Sequence, residues 1–339
     1  FRGKSLKLMH SFMNLVMITA TAMGIVFLIG GPEFLAGFKL STYPISMGLV
    51  AGGILFGIGM AIASCCASGA LTDGVSNPFK GLLVVFGFMA GVFAFLGVQA
   101  DSAFVNEGPK VFFPELFPTF ESGIVGAIAI TIVLALIVKA ITNKVDKSWE
   151  GQERGVIASE QDHDLNDYPT QSDRFFKKPF TLMESAIGLC ISVIALAIFT
   201  GKGWGVSTTF GFWFGKLAIL FGADPVQLGE FTTKGAEFFE KGILENSGSV
   251  MNIGIVIGAI AALVMMNRFK PTFKITGKEI VMFLIAGLLM GIGTRLANGC
   301  NAGALYTPMY LFSLSGWAFL PTMIFGGIIG NKIWKKVLN

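Results

Sequence analysis

Charge is scarce in this chain of 339 residues: 14% are Asp, Glu, Lys or Arg, against about 25% in a soluble domain. So few charges cannot wet the surface of a soluble protein. The stretches 9–32, 40–72, 81–100, 122–138, 246–267 and 296–331 contain none of these residues at all. A bilayer span needs about 20 mostly apolar residues. The chain therefore reads as a polytopic integral membrane protein. Histidine is rarer still: the 2 present, His10 and His163, cannot supply a haem pair or a His-rich metal site. The 4 cysteines, Cys65, Cys66, Cys190 and Cys300, include no Cys-x-x-Cys pair, which argues against a disulfide framework or a redox motif. No Gly-x-x-x-x-Gly-Lys-Ser/Thr loop occurs, so the chain is not itself an ATPase. A net charge of +4, scattered along the sequence, excludes nucleic acid as a partner. No cofactor is called for.

What is present in quantity is apolar sequence, 53% of the chain. It falls into nine runs, near 11–31, 46–64, 80–99, 121–141, 180–200, 204–222, 247–267, 279–297 and 316–334. Lipid forces backbone groups to pair within a segment, and the ten-residue alternation of a barrel is missing. The expectation is an all-α membrane protein of about nine transmembrane or re-entrant helices. Segment 204–222, rich in Gly, Ser, Thr and aromatics, suits a broken or re-entrant helix. Lys and Arg gather before residue 8, around 139–178, in 268–278 and after 331, which places those regions in the cytoplasm. The acidic segments 101–121 and 223–246 read as external. Residues 1–141 and 180–339 form two membrane halves, joined by a cytoplasmic linker over 142–179. The chain opens Phe1-Arg2-Gly3 without methionine and is read as incomplete at that end.

The strongest motif is an internal repeat. Residues 53–71, GILFGIGMAIASCCASGAL, and 287–305, GLLMGIGTRLANGCNAGAL, are identical at ten of nineteen positions, including Cys66 and Cys300 and the glycine frame around them. The charge pattern sends the two copies across the membrane in opposite directions, the inverted-repeat arrangement common in transporters.

Each repeated cysteine follows a glycine-rich helix at a point where the backbone is expected to break. Broken helices are tolerated in membranes where they line a cavity, and their N-termini offer N–H groups to anions. A thiol in apolar surroundings stays protonated and makes a soft, weak contact. Such a group holds a sulfur atom loosely enough to pass it on, which conduction requires. Cys66 and Cys300 are thus substrate-pathway candidates. Cys65, whose repeat partner is Gly299, stands beside them as a weaker one. Cys190 reads as a packing residue. Arg295 either draws an anion toward Cys300 or snorkels to the interface, or pairs with Glu184 or a carbonyl. Ser207 and Thr208, in the cluster Trp204 to Phe210 that Lys216 follows, either line an anion path or pack helices. Ser64, Asn298 and Asn301 either donate to a substrate or cap the broken helices. Trp317 and Trp334 read as interface anchors.

On these residues the chain resembles the YeeE/YedE family of sulfur-transport membrane proteins. The element from Gly293 to Gly303, Gly-x-Arg-Leu-Ala-x-Gly-Cys-x-x-Gly, carries the resemblance together with IASCCASGAL. The resemblance implies an all-helical inverted-repeat fold in the bacterial inner membrane. It also implies uptake of thiosulfate, or a related sulfur compound, past cysteines whose S–H groups touch the ion's sulfur, with Cys66 and Cys300 as the two motif cysteines. A TusA-like cytoplasmic sulfur carrier is the implied partner. Phe1-Arg2-Gly3 would be the remnant of a further family motif, whose counterpart at 204–210 has Ser and Thr in place of Cys. The Cys65-Cys66 doublet departs from the plainest thiosulfate pattern, and some relatives are associated with selenium. The alternatives are accordingly a transporter of a selenium compound or another anion and, in a different class, a membrane thiol–disulfide oxidoreductase.

Overall fold

The computed structural model describes residues 6–148, 178 and 180–338. The Phe1-Arg2-Gly3 element, His163 and the acidic middle of the linker lie outside the described residues.

Each of the nine apolar runs has a helix at its centre. Six helical spans among the described residues are long and apolar enough to cross a bilayer, so this is a multi-pass all-α membrane protein. Helix α1 (Lys7–Gly37) bends where Gly31 takes a φ of 74° just before Pro32. The proline cannot donate to the preceding turn, and glycine absorbs the change of direction. Ser46 caps α2 (Met47–Ala63), accepting from the Leu49 N–H at 3.1 Å. A break leads to α3 (Ala67–Ser76). Helix α4 (Pro78–Ala94) starts on an Asn77 cap with proline in its first turn. The run 80–99 is divided, because a separate helix α5 (Leu96–Asp101) follows. The first half closes with α6 (Phe120–Ser148).

Past the linker, α7 (Leu182–Thr200) opens on a capping box between Thr181 and Glu184. The run 204–222 forms α8 (Ser207–Leu220), 14 residues long and too short for a full crossing. Helices α9 (Ser247–Met265) and α10 (Gly277–Leu296) follow. A second break leads to a π-turn, Asn301–Tyr306, and the chain ends in α11 (Leu314–Leu338).

The centre is a bundle of α2, α4, α10 and α11 whose backbones nearly touch. A Cβ on Gly52 would lie 2.5 Å from the Gly293 carbonyl oxygen, and one on Gly91 2.5 Å from that of Leu288. In lipid, small residues bring helices together because apolar burial alone gives no preference for protein over lipid tails. The contacts also fix direction. Gly48, Gly52 and Gly59 on α2 meet Leu296, Gly293 and Ala286 on α10, in descending order. The helices carrying the two copies of the motif therefore run antiparallel. By the same reasoning α4 runs parallel to α10, since Gly87 meets Leu284 and Gly91 meets Leu288. Large apolar side chains such as Ile191 on α7 and Ile257 on α9 stay exposed, facing the lipid side of the molecule. Trp317 departs from its expected place. It is 9% exposed and packed in the core, so it is no interface anchor. Trp334 stacks on Phe283 with ring centroids 6.3 Å apart.

Candidate functional site

The repeated motif folds in nearly the same way twice. After α2 and α10 the chain passes through a residue in the left-handed region, Ser64 and Asn298, each with φ 61°. These are equivalent positions in the repeat, and both carry short polar side chains, which suit such a turn. Two residues on, Cys66 (φ −90°, ψ −176°) and Cys300 (φ −92°, ψ −167°) are extended and open a new helical segment. The Cys66 sulfur accepts from the Gly69 N–H at 3.4 Å and lies 3.4 Å from the Ser68 hydroxyl. It sits where Ser or Asp usually caps a helix. Cys300 lies beside the amides of Ala302 and Gly303.

One difference between the copies has a steric cause. A Cβ on Gly299 would lie 2.6 Å from the Ala304 nitrogen. No side chain fits there, so Cys65 has no counterpart. Its sulfur is instead surrounded by Cys66, Asp73 and Lys80, the last two paired at 3.0 Å.

The breaks approach each other. Asn301 Nδ2 donates to the Met60 sulfur at 3.4 Å, and Cys66 and Cys300 are within electrostatic reach of one another. All four cysteines are free thiols; Cys300 is 1% exposed, while Cys65 and Cys66 are half-buried. Cys190 is buried on α7.

Arg295 neither snorkels nor pairs with Glu184. Its side chain is 3% exposed, and Glu184 is used up in capping α7, accepting from the Thr181 N–H at 2.7 Å. The guanidinium donates to Gln99 Oε1 at 2.9 Å, Thr208 Oγ1 at 3.2 Å and Ser207 Oγ at 2.6 Å. Its Nε has no hydrogen-bond partner among the described residues. Every one of these partners is neutral. Gln99 escaped the sequence reading, although it is the only uncharged polar side chain in the run 80–99.

Above this cluster opens a cavity of about 470 Å³. Its walls include Ser207 and Thr208 of the arginine cluster, Asn298 and Gly299 of the second break, and Lys39 and Lys202. Among the described residues, no Asp or Glu lines it. The N-terminal turns of α8 and α9 border it through Ser207 and Ser247; helix N-termini carry partial positive charge. Lys234 nearby is held below the ordinary lysine range, first by partial burial and then by the charges of Arg295 and Lys39. A second groove, about 460 Å³, is lined by residues including Pro32 and Phe120 and, among the described residues, has no basic side chain in its walls.

A family model described as Sulphur transport matches residues 1–329. The chain belongs to that family. Among its relatives is the "Probable transporter YedE" of Escherichia coli (strain K12), 32% identical over 133 residues, which are 39% of this chain and 32% of the relative. The protein of the same name from Salmonella typhimurium is 31% identical over the same fractions. The "Thiosulfate transporter TsuA" of Spirochaeta thermophila is 35% identical over 86 residues, 25% of each chain. The chain thus aligns with about a third of the YedE relatives' length.

In this member of the Sulphur transport family, the sequence candidates divide into two groups. Arg295, Ser207, Thr208 and Asn298 come together around the cavity and its floor. Cys300 and Asn301 lie just behind, next to Gly299 and Gly303, which do line it. Ser64, Cys65 and Cys66 sit at the break after α2, whose end lies opposite that of α10. Lys216 is not one of the cavity's wall residues: its ammonium donates to the Glu240 carbonyl at 3.4 Å. Lys39, Lys202 and Gln99 are additions that only the fold reveals.

Proposed function

We propose that this protein takes up a small sulfur oxyanion, thiosulfate, across the bacterial inner membrane, by relay past the thiols of Cys300 and Cys66. The observation that carries the proposal is Arg295: a buried guanidinium surrounded by neutral donors and acceptors, at the floor of a cavity whose walls, among the described residues, hold two lysines and no carboxylate. A buried charge without a counter-charge is costly, and an anion entering from the cavity removes that cost. Lys39 and Lys202 raise the local anion concentration. The N-termini of α8 and α9 add donors.

Past Arg295 the route meets Cys300, then Cys66 across the facing break, then the opposite end of the bundle, where Ser64 is exposed. Thiols suit the terminal sulfur of thiosulfate because the contact is soft and weakly hydrogen-bonded; sulfate presents only hard oxygens. The membrane halves 1–141 and 180–339 act as inverted repeats, supported by the antiparallel course of α2 and α10. Lys39 and Lys202 then face outward, and the linker 142–179 and the C-terminus face the cytoplasm, where a TusA-like carrier would receive the sulfur.

The test is uptake of labelled thiosulfate by cells making the full-length natural protein, with sulfate, sulfite and selenite as competitors, alongside Cys66→Ala and Cys300→Ala. Expected are saturable uptake, competition by sulfur- or selenium-terminated anions, and loss in both variants with the protein still in the membrane. Full uptake in both variants removes the thiol relay. Competition by selenite alone reassigns the substrate to selenium, and uptake absent in wild type refutes the reading.

A further inference from the structure

Gln99 makes two hydrogen bonds that fix its side chain completely. Arginine can only donate, so the Gln99 amide must present Oε1 to it, at 2.9 Å. Its other end, Nε2, donates to Asn298 Oδ1 at 2.8 Å. Turning the amide over would set donor against donor and acceptor against acceptor. The result is a chain Arg295–Gln99–Asn298 that ties the buried charge to the left-handed residue of the second helix break.

The backbone under Gln99 is itself anchored. Leu96 is fully buried on α5, a Cβ on Gly97 would lie 2.6 Å from the Phe231 carbonyl, and Asn106 Nδ2 donates to the Gln99 carbonyl at 2.9 Å. Gln99 belongs to the first half of the chain, Arg295 and Asn298 to the second. It is therefore a bridge between halves, made at the floor of the cavity.

From this we infer that Gln99 is a positioning residue that keeps the Arg295 charge uncompensated. It holds the guanidinium by a dipole where a carboxylate of the same length would neutralise it, and so leaves the counter-charge to a doubly charged oxyanion. The inference rests on the proposal that Arg295 meets the transported anion. It assigns the site's need for an external counter-charge to this one neutral side chain: glutamate would fit the same space, meet the same arginine, and close the site electrostatically.

The experiment uses the purified full-length protein in detergent at low salt. The melting temperature is measured without added anion and with rising thiosulfate, sulfate or selenate, for wild type, Gln99→Glu and Gln99→Met. Without anion, Gln99→Glu is expected to melt at or above the wild-type temperature, because it supplies the missing counter-charge, and Gln99→Met below it. With thiosulfate, Gln99→Glu is expected to bind at least about tenfold more weakly than wild type, the scale of one charge-assisted contact. Gln99→Met should keep a measurable anion shift. Wild-type affinity in Gln99→Glu, or an anion-free loss of stability equal to that of Gln99→Met, overturns the inference. A wild-type protein that responds to none of the three anions counts against the transport reading, while the anion-free comparison of the two variants still decides the role of Gln99.

Discussion

A guanidinium removed from water without an acid partner costs several kcal/mol even after relaxation. Arg295 bears that cost with hydroxyls and one amide as its hydrogen-bond partners among the described residues. Packing gives no reason to keep such a residue in a bundle held together by glycine contacts. Replacing it by glutamine should reduce thiosulfate uptake about 30-fold or more, in line with truncating one partner of a buried charged contact. Lysine should restore part of the loss, since it returns the charge without the planar fork. Initial-rate uptake at matched protein levels checks both. At Cys300 the informative change is to serine, which keeps a donor and removes the soft sulfur. Discrimination of thiosulfate against sulfate should then fall about tenfold, near the upper limit for one sulfur contact, while sulfate uptake stays as it was. Unchanged discrimination in competition assays would show that the thiol contact carries no selectivity.

At the scale of elements, the two helix breaks decide where the thiols point. Ser64 and Asn298 hold the same left-handed turn, but the second copy is more crowded, because Gly299 packs against the backbone of the π-helical segment that follows. Opposite outcomes follow for substitutions at the two ends of the motif. Ser64→Gly should be neutral or stabilising by up to about 1 kcal/mol, because glycine adopts positive φ freely. Gly299→Ala should destabilise by about 1–3 kcal/mol, because its Cβ meets the Ala304 backbone and no flexible side chain can yield. Thermal unfolding in detergent separates them. Equal stability of Gly299→Ala and wild type would mean that the break relaxes, and the missing counterpart of Cys65 would lose its steric explanation.

At the scale of the whole molecule, a glycine-packed central bundle carries a basic cavity at the end where α10 terminates. Among the described residues, Lys39 and Lys202 have no acidic neighbour in the cavity walls; Lys202 donates to the Ser247 hydroxyl at 3.1 Å. Removing the charges, as Lys39→Gln with Lys202→Gln, should raise the half-saturating thiosulfate concentration about 3- to 10-fold, leave the maximal rate nearly unchanged, and flatten the dependence on ionic strength. The orientation has its own test. A single cysteine introduced at Ala236 should react with an impermeant reagent in intact cells, and one at Thr272 only after permeabilisation. The reverse pattern would place the cavity on the cytoplasmic side.

How much of this could be read without coordinates depends on how far apart in sequence the interacting groups lie. Hydropathy and caps act over a turn or two of helix, so the nine apolar runs, the break at each cysteine and the all-helical membrane class were legible from the chain, as was the family. The ten identities of the repeat pointed further, to two copies of one motif, because glycine and cysteine in register are rarely matched by chance. What no local pattern could supply is the company Arg295 keeps. Gln99 and the pair Ser207 and Thr208 come from two segments far from Arg295 in sequence, and only the packing of α5, α8 and α10 brings them to one place. The same holds for Trp317, whose sequence context suits a membrane interface but whose place in the bundle is the core. A residue's neighbours along the chain determine whether it enters the membrane. The residues opposite it in the fold decide whether its charge is cancelled or left for a ligand, because an electrostatic interaction depends on distance in space and on burial, and the sequence encodes neither directly.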